Sequence, residues 1–279
     1  MCRFFLDALG AVALFVWAIA PSRATNEQKA PFCRKNFAHR GLHTPDKSVP
    51  ENSLEAFRLA KEAGYGSELD VQLSSDGQVF VFHDDSLDRV TGVSGVAEAF
   101  PWETLSKTHL CGTEQTIPLF SDVLKEMDGK VPLIVELKTT KRYKELSQKT
   151  LDLLRDYRQR TGGDFCVESF DFRIVRWFRF HAPDILRGQL SSRAAGIWKK
   201  EGSFGYKTAK WLNASVLFNG LARPHFIAYD IVKKPFPVRA AEAMGAMRVS
   251  WTSLPEKREQ AESTSDAVIF QFYEPPVRF

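Results

Sequence analysis

The sequence predicts a TIM-type (β/α)8 barrel of the α/β class, with an antiparallel hairpin strand near its mouth and a hydrophobic segment ahead of it. Three observations carry this. Short apolar, β-branched stretches alternate with amphipathic segments from residue 32 to 279, as in a parallel sheet crossed by helices. The length of 279 residues suits one barrel of ~250 residues plus a leader. No linker, internal repeat or charge block divides residues 32–279, which read as one domain.

The expected strands are Lys35–Ala38, Gly66–Leu73, Gln78–Phe82, Val131–Leu137, Phe165–Phe170, Ile185–Leu190, Phe226–Ile231, Met247–Trp251 and Ala267–Phe272. Between them, Ser53–Ala63 carries Leu54, Phe57, Leu59 and Ala60 at helical spacing, after an Asn52 able to cap it. Ser121–Met127, Tyr143–Thr161 and Phe172–Phe180 have the same character. Nine strands exceed a barrel of eight by one. The odd one is Gln78–Phe82, because only Ser74-Ser75-Asp76-Gly77 separates it from the strand before. A parallel crossover needs a dozen or more residues, whereas Asp-Gly marks a hairpin. The strand therefore folds back antiparallel and should return His83 to the side of Glu68.

Residues 1–24 stand apart. An apolar run from Phe4 to Ala20 is interrupted only by Asp7 and Gly10 and ends at Pro21. Two readings follow. One is a single-pass membrane anchor, favoured by the positive flanks Arg3 and Arg23, Lys29, Arg34 and Lys35. The other is a signal peptide cleaved near Ser22-Arg23-Ala24, which would export the domain. Membrane association through this segment is the expectation.

Composition excludes several classes. An apolar content of 44% and an aromatic content of 12% indicate a packed core, against disorder. A net charge of +4 with scattered Lys and Arg gives no basic stripe for nucleic acid. Cys2, Cys33, Cys111 and Cys166 match neither a zinc site nor a redox pair, and imply no disulfide framework.

The chemistry concentrates between His39 and Asp85. Glu68 and Asp70 lie two apart on a strand, so both side chains share a face, while Leu69, Val71 and Leu73 take the other. The apolar face packs under helices, which turns the carboxylates into the barrel mouth. Two buried carboxylates repel and require a cation, and oxygen ligands suit a hard divalent ion, Mg²⁺ or Ca²⁺. Glu136, at the end of the apolar run 131–137, is a natural third ligand. Arg40 can hold a phosphate by paired hydrogen bonds. His39 and His83 can act as an acid/base pair, since imidazole titrates near neutrality.

The ordered blocks His39-Arg40-Gly41, Pro50-Glu51-Asn52-Ser53, Glu68-Leu69-Asp70-Val71, Asp76-Gly77 and His83-Asp84 resemble the glycerophosphodiester phosphodiesterase family. The likeness continues through Ile117-Pro118-Leu119, Glu136-Leu137-Lys138, Glu168-Ser169-Phe170 and Val249-Ser250-Trp251-Thr252. It implies a TIM barrel, a divalent cation and hydrolysis of a glycerophosphodiester to glycerol phosphate and an alcohol. Carried over by position, His39 and His83 are the catalytic pair, and Glu68, Asp70 and Glu136 the metal ligands. Arg40 and Lys138 are phosphate contacts, and Trp251 lines the substrate pocket. The alternative expectation is a lysophospholipase D or phospholipase-type barrel acting on membrane lipids, with a lysolipid as the substrate.

Overall fold

The computed structural model describes residues 2–192 and 204–279. Its strands are β1 (Lys35–Ala38), β2 (Gly66–Leu73), β3 (Val79–Val81), β4 (Leu133–Leu137), β5 (Phe165–Ser169), β6 (Arg187–Ser191), β7 (Phe226–Asp230), β8 (Met247–Ser253) and β9 (Ala267–Phe270). Eight of them form a closed parallel ring in the order β1-β2-β4-β5-β6-β7-β8-β9, and β9 pairs back with β1. The fold is a TIM barrel with one strand outside the ring. That strand is β3, antiparallel to the C-terminal half of β2 with Val71 opposite Val81. Gly77 makes the turn at φ +85°, a left-handed conformation that other residues reach only with strain.

The barrel has two apolar layers. Inside the ring pack Phe37, Ile134, Cys166, Leu190, Phe226, Val249 and Ile269. Outside it, Leu69, Val71 and Leu73 of β2 meet Phe57, Phe120, Leu124 and Leu154 of the surrounding helices. Alternation along β2 thus fixes Glu68 and Asp70 on the inner face. The helix Leu54–Glu62 is capped by Ser53, whose hydroxyl accepts from the Ala56 amide at 3.1 Å. Asn52, expected to cap it, is instead left-handed at φ +57° and turned towards the barrel mouth. Residues 85–112 fold into short helices over a small separate core of Phe80, Phe82, Leu87, Val90, Leu105 and Leu110.

The leader forms the helix Cys2–Ile19. At ~1.5 Å per residue its 18 residues cover ~27 Å, short of the ~30 Å hydrocarbon core. Among the described residues no helix is long and apolar enough to cross a membrane, so the expected anchor gains no support. The end of this helix packs on the barrel. Ile19 is buried with Val216, Ile227 and Val238, and Phe15 stacks on Phe236 at 6.0 Å. Cys33, Cys111 and Cys166 are free thiols.

Candidate active site

The C-terminal ends of β1, β2, β4, β5 and β8 surround one cavity. It holds about 220 Å³ and is lined by His39, Arg40, Glu68, His83, Glu136, Glu168, Phe170, Leu190, Trp251 and Ile269. Strand register assembles its acids. Asp70 lies beside Glu136, and Glu136 beside Glu168. Carboxylate oxygens of Glu68, Asp70 and Glu136 come within 4.8 Å of one another, and all three residues are buried.

Each acid is held by a different neighbour. Arg40 adopts φ +56°, which points its amide at Glu68 Oε2, 3.0 Å away. Asn52 donates from Nδ2 to Asp70 Oδ2 at 2.8 Å. The Lys138 ammonium spans Glu136 Oε1 at 2.9 Å and Asp70 Oδ1 at 3.3 Å. The Arg40 guanidinium lies between Glu51, at 2.8 Å, and Asp70, at 3.5 Å.

These placements split the acids. Burial, then the charges of Asp70 and Glu136, push Glu68 well above the usual carboxylate range. Burial also raises Glu136, to about 7, against the pull of Lys138. Burial acts on Asp70 too, but Lys138, His83, Arg40 and the Asn52 bond outweigh it and hold Asp70 low. Lys138 stays above its ordinary value because Glu136 and Asp70 overcome the cost of its burial. Four buried acids, Glu68, Asp70, Glu136 and Glu168, thus face two cations, Arg40 and Lys138. The surplus is negative and the donors are all oxygen. Glu68, Asp70 and Glu136 together can hold a metal ion.

Both imidazoles reach the cavity and both are tethered at Nδ1. His39 Nδ1 donates to Gln271 Oε1 at 2.5 Å, and its Nε2 lies 3.9 Å from Glu68 Oε2. His83 Nδ1 donates to Asp84 Oδ1, also at 2.5 Å. Amide and carboxylate oxygens accept, so Nδ1 carries the proton and Nε2 is left with its lone pair. Burial, helped by Arg40, drives His39 down to about 3. Burial also lowers His83, but the Asp70 charge and the Asp84 bond oppose it. The hairpin returns His83 to the cavity that Glu68 also lines, where Asp70 is the acid whose charge acts on it most.

All eight residues singled out in the sequence, His39, Arg40, Glu68, Asp70, His83, Glu136, Lys138 and Trp251, gather at this mouth. Their supports were less visible. Arg89 bridges Glu51, at 2.6 Å, and Asp84, at 2.6 Å, so one guanidinium links the partner of Arg40 to the partner of His83. Asp84 and Glu51 stood in the motif blocks without an assigned role, and Asn52 only as a helix cap. Arg89 and Gln271 carried no spacing signal, since they arrive from a short helix and from beyond the last strand.

The family model described as "Glycerophosphoryl diester phosphodiesterase family" matches residues 39–273, most of the chain and every residue above. The chain belongs to this family. A glycerophosphodiester phosphodiesterase of Caldanaerobacter subterraneus subsp. tengcongensis is 31% identical over 163 residues, 55% of this chain and 65% of that protein. A lysophospholipase D of Rattus norvegicus is 28% identical over 170 residues, 55% of this chain and 52% of that protein. The matched stretches span less than two thirds of either relative. In fold, the chain is similar to the Oleispira antarctica phosphodiesterase solved in complex with the product sn-glycerol-3-phosphate. The TM-score is 0.68 at 22% identity, over 88% of this chain and 95% of that one. A glycerophosphodiester phosphodiesterase (family) barrel thus carries a buried acidic trio between two tethered histidines.

Proposed function

We propose that this protein hydrolyses glycerophosphodiesters to glycerol phosphate and an alcohol, using Mg²⁺ or Ca²⁺ held by Glu68, Asp70 and Glu136. The observation that carries this reading is the pairing of that trio with two histidines whose Nδ1 atoms are both tied down. When bound, the cation supplies charge to polarise a phosphate oxygen. Arg40 and Lys138, held at the wall by their ion pairs, share the negative charge that develops on the phosphoryl group. His39, neutral through burial, accepts at Nε2 the proton of the attacking hydroxyl, whether water or the glycerol 2-hydroxyl. His83 first takes up a proton from solvent at Nε2, the imidazolium being stabilised by Asp84 at Nδ1, and then passes that proton to the leaving alkoxide. Trp251 lines the same cavity from β8.

The test is turnover of glycerophosphocholine with Mg²⁺, Ca²⁺ or chelator. Release of glycerol 3-phosphate with either ion, abolished by chelator, is expected. Metal-independent turnover would overturn the assignment of the trio.

One observation favours a second reading, lysophospholipase D action on a lysolipid. On the far side of Phe170, a mostly apolar cavity of about 830 Å³ runs past Phe172, Ala209, Ala214 and Phe218. An acyl chain would fit against such a wall. Micellar lysophosphatidylcholine cleaved faster than glycerophosphocholine would establish this reading over the first. Localisation through the leader is part of the proposal, as membrane association or, alternatively, export after cleavage near Ala24, and the N-terminal sequence of the mature protein separates the two.

A further inference from the structure

The leader helix is apolar on sides that the barrel does not cover. Its end is held at the floor, where Ile19 is buried and the Ser22 amide donates to the Pro224 carbonyl, just before β7, at 2.8 Å. One turn back, Phe15 stacks on Phe236, which opens the helix Phe236–Ala243 at the mouth end of β7. The leader therefore lies along the outside of β7, and residues 7–14, all exposed, continue past that contact. Leu9, Val12, Leu14, Val16 and Trp17 are each between 43% and 66% exposed. At 3.6 residues per turn, Leu9, Val12 and Val16 form one stripe. Asp7, the only charged residue from 4 to 22, falls on the opposite side.

Phe236 is exposed as well, and exposed cations stand three residues to either side of it, Lys233 and Arg239. Neither is ion-paired among the described residues, and Glu242, the one acid of that helix, is taken by Lys234 at 2.6 Å. Apolar side chains beside unpaired cations complement an anionic lipid surface. A second copy docked by a twofold axis would set these cations against their own kind. We propose that the leader helix, with Lys233, Phe236 and Arg239, docks the barrel on an anionic bilayer without crossing it. Leu9, Val12, Val16 and Phe236 enter the boundary between head groups and acyl chains, and the two cations meet the head groups. This rests on the leader being retained, the membrane-associated reading above, and is independent of the reaction catalysed.

The test is co-sedimentation of the full 279-residue chain with vesicles of phosphatidylcholine alone or mixed equally with phosphatidylglycerol. Binding should be stronger to the mixture, by about fivefold for each cation engaged, and should weaken with salt. Lys233→Gln with Arg239→Gln should remove most of that preference. Leu9→Ser with Val12→Ser should weaken binding to both vesicles by ~10-fold. All four side chains are exposed, so thermal midpoints should match wild type. Absence of binding to either vesicle would overturn the proposal, as would a preference unchanged by loss of both cations. Self-association that Leu9→Ser abolishes, without vesicle binding, would assign the stripe to a second copy and overturn it too. N-terminal sequencing decides separately whether the leader is retained, and turnover of glycerophosphocholine without vesicles reports on the reaction.

Discussion

The two ends of this barrel both bury ionisable groups, and they treat them oppositely. At the floor, Arg187 opens β6 and His225 precedes β7. Burial, with Arg179 nearby, lowers Arg187 to about 10, and burial with Arg187 nearby lowers His225 to about 4. No acid bonds either side chain among the described residues; Arg187 Nη2 is served by the Arg223 carbonyl at 2.9 Å. Groups of one sign, desolvated together, are pushed towards neutrality. At the mouth, Lys138 and Arg40 are threaded between acids, so Asp70 keeps its charge at complete burial. The floor gives up the charge of His225, whereas the mouth keeps that of Asp70. Keeping that charge requires interleaved signs, with Lys138 and Arg40 set against Asp70.

That contrast can be broken at several points. The largest effect should come from His39→Ala and His83→Ala, each lowering kcat on glycerophosphocholine by ~10²–10⁴-fold. Their thermal midpoints should stay near wild type, since each ring is held chiefly by one side-chain bond. Near-normal turnover by both variants would remove the histidines from the chemistry. Second is the floor. His225 has a folded pKa of about 4, below its ordinary 6.5, so between those values the unfolded chain binds more protons. The stabilisation is complete above pH ~6.5, is lost as pH falls towards ~4, and amounts to about 3 kcal/mol. His225→Asn should flatten that slope in urea titrations at pH 7.5 and 4.5, with activity at pH 7.5 within about twofold of wild type.

Third, adding Mg²⁺ or Ca²⁺ to chelator-treated protein should stabilise it by ~2.7 kcal/mol at a hundred times Kd. Glu136→Gln should shrink the gain and His225→Asn should not. Equal stabilisation of both variants would move the ion away from the mouth. The smallest effect should come from Arg89→Ala. Its guanidinium is about half exposed (48%), so losing its links to Glu51 and Asp84 should cost under ~1 kcal/mol, a few-fold in kcat.

The legibility of these regions differs for a physical reason. Strand period two assigned Glu68 and Asp70 to one face, and a four-residue link fixed β3 as antiparallel. Both are local constraints, and β1 and β2 fell on Lys35–Ala38 and Gly66–Leu73 as expected. The split between Glu68 and Asp70 was not legible, because it depends on Lys138 and Asn52 arriving from β4 and from the loop after β1. The same holds for Arg89, whose two partners lie 38 and five residues away. Asn52 shows the limit most plainly. Its type and place suited a helix cap, yet Ser53, one residue on, took that role and freed Asn52 for Asp70. The leader shows the converse limit. Its apolar run is real, but apolarity alone does not distinguish a bilayer from the flank of a barrel, where Ile19 is buried.

The ring is closed by its shortest parallel staves, and the closure is strapped. The Phe279 amide donates to the Arg34 carbonyl at 3.1 Å, Arg34 Nε donates to the Phe279 carbonyl at 2.6 Å, and Asn36 receives residues 276–277. Residues 34 and 279 are therefore neighbours in space, as in a belt fastened by its own buckle. A peptide linker of a few residues from 279 to 34, with new ends cut in an exposed turn such as 92–95, should give a circularly permuted barrel with the same mouth. Conversely, deleting 277–279 should loosen β1 from β9 at the floor while leaving Glu68, Asp70 and Glu136 on staves of the ring that this strap does not touch.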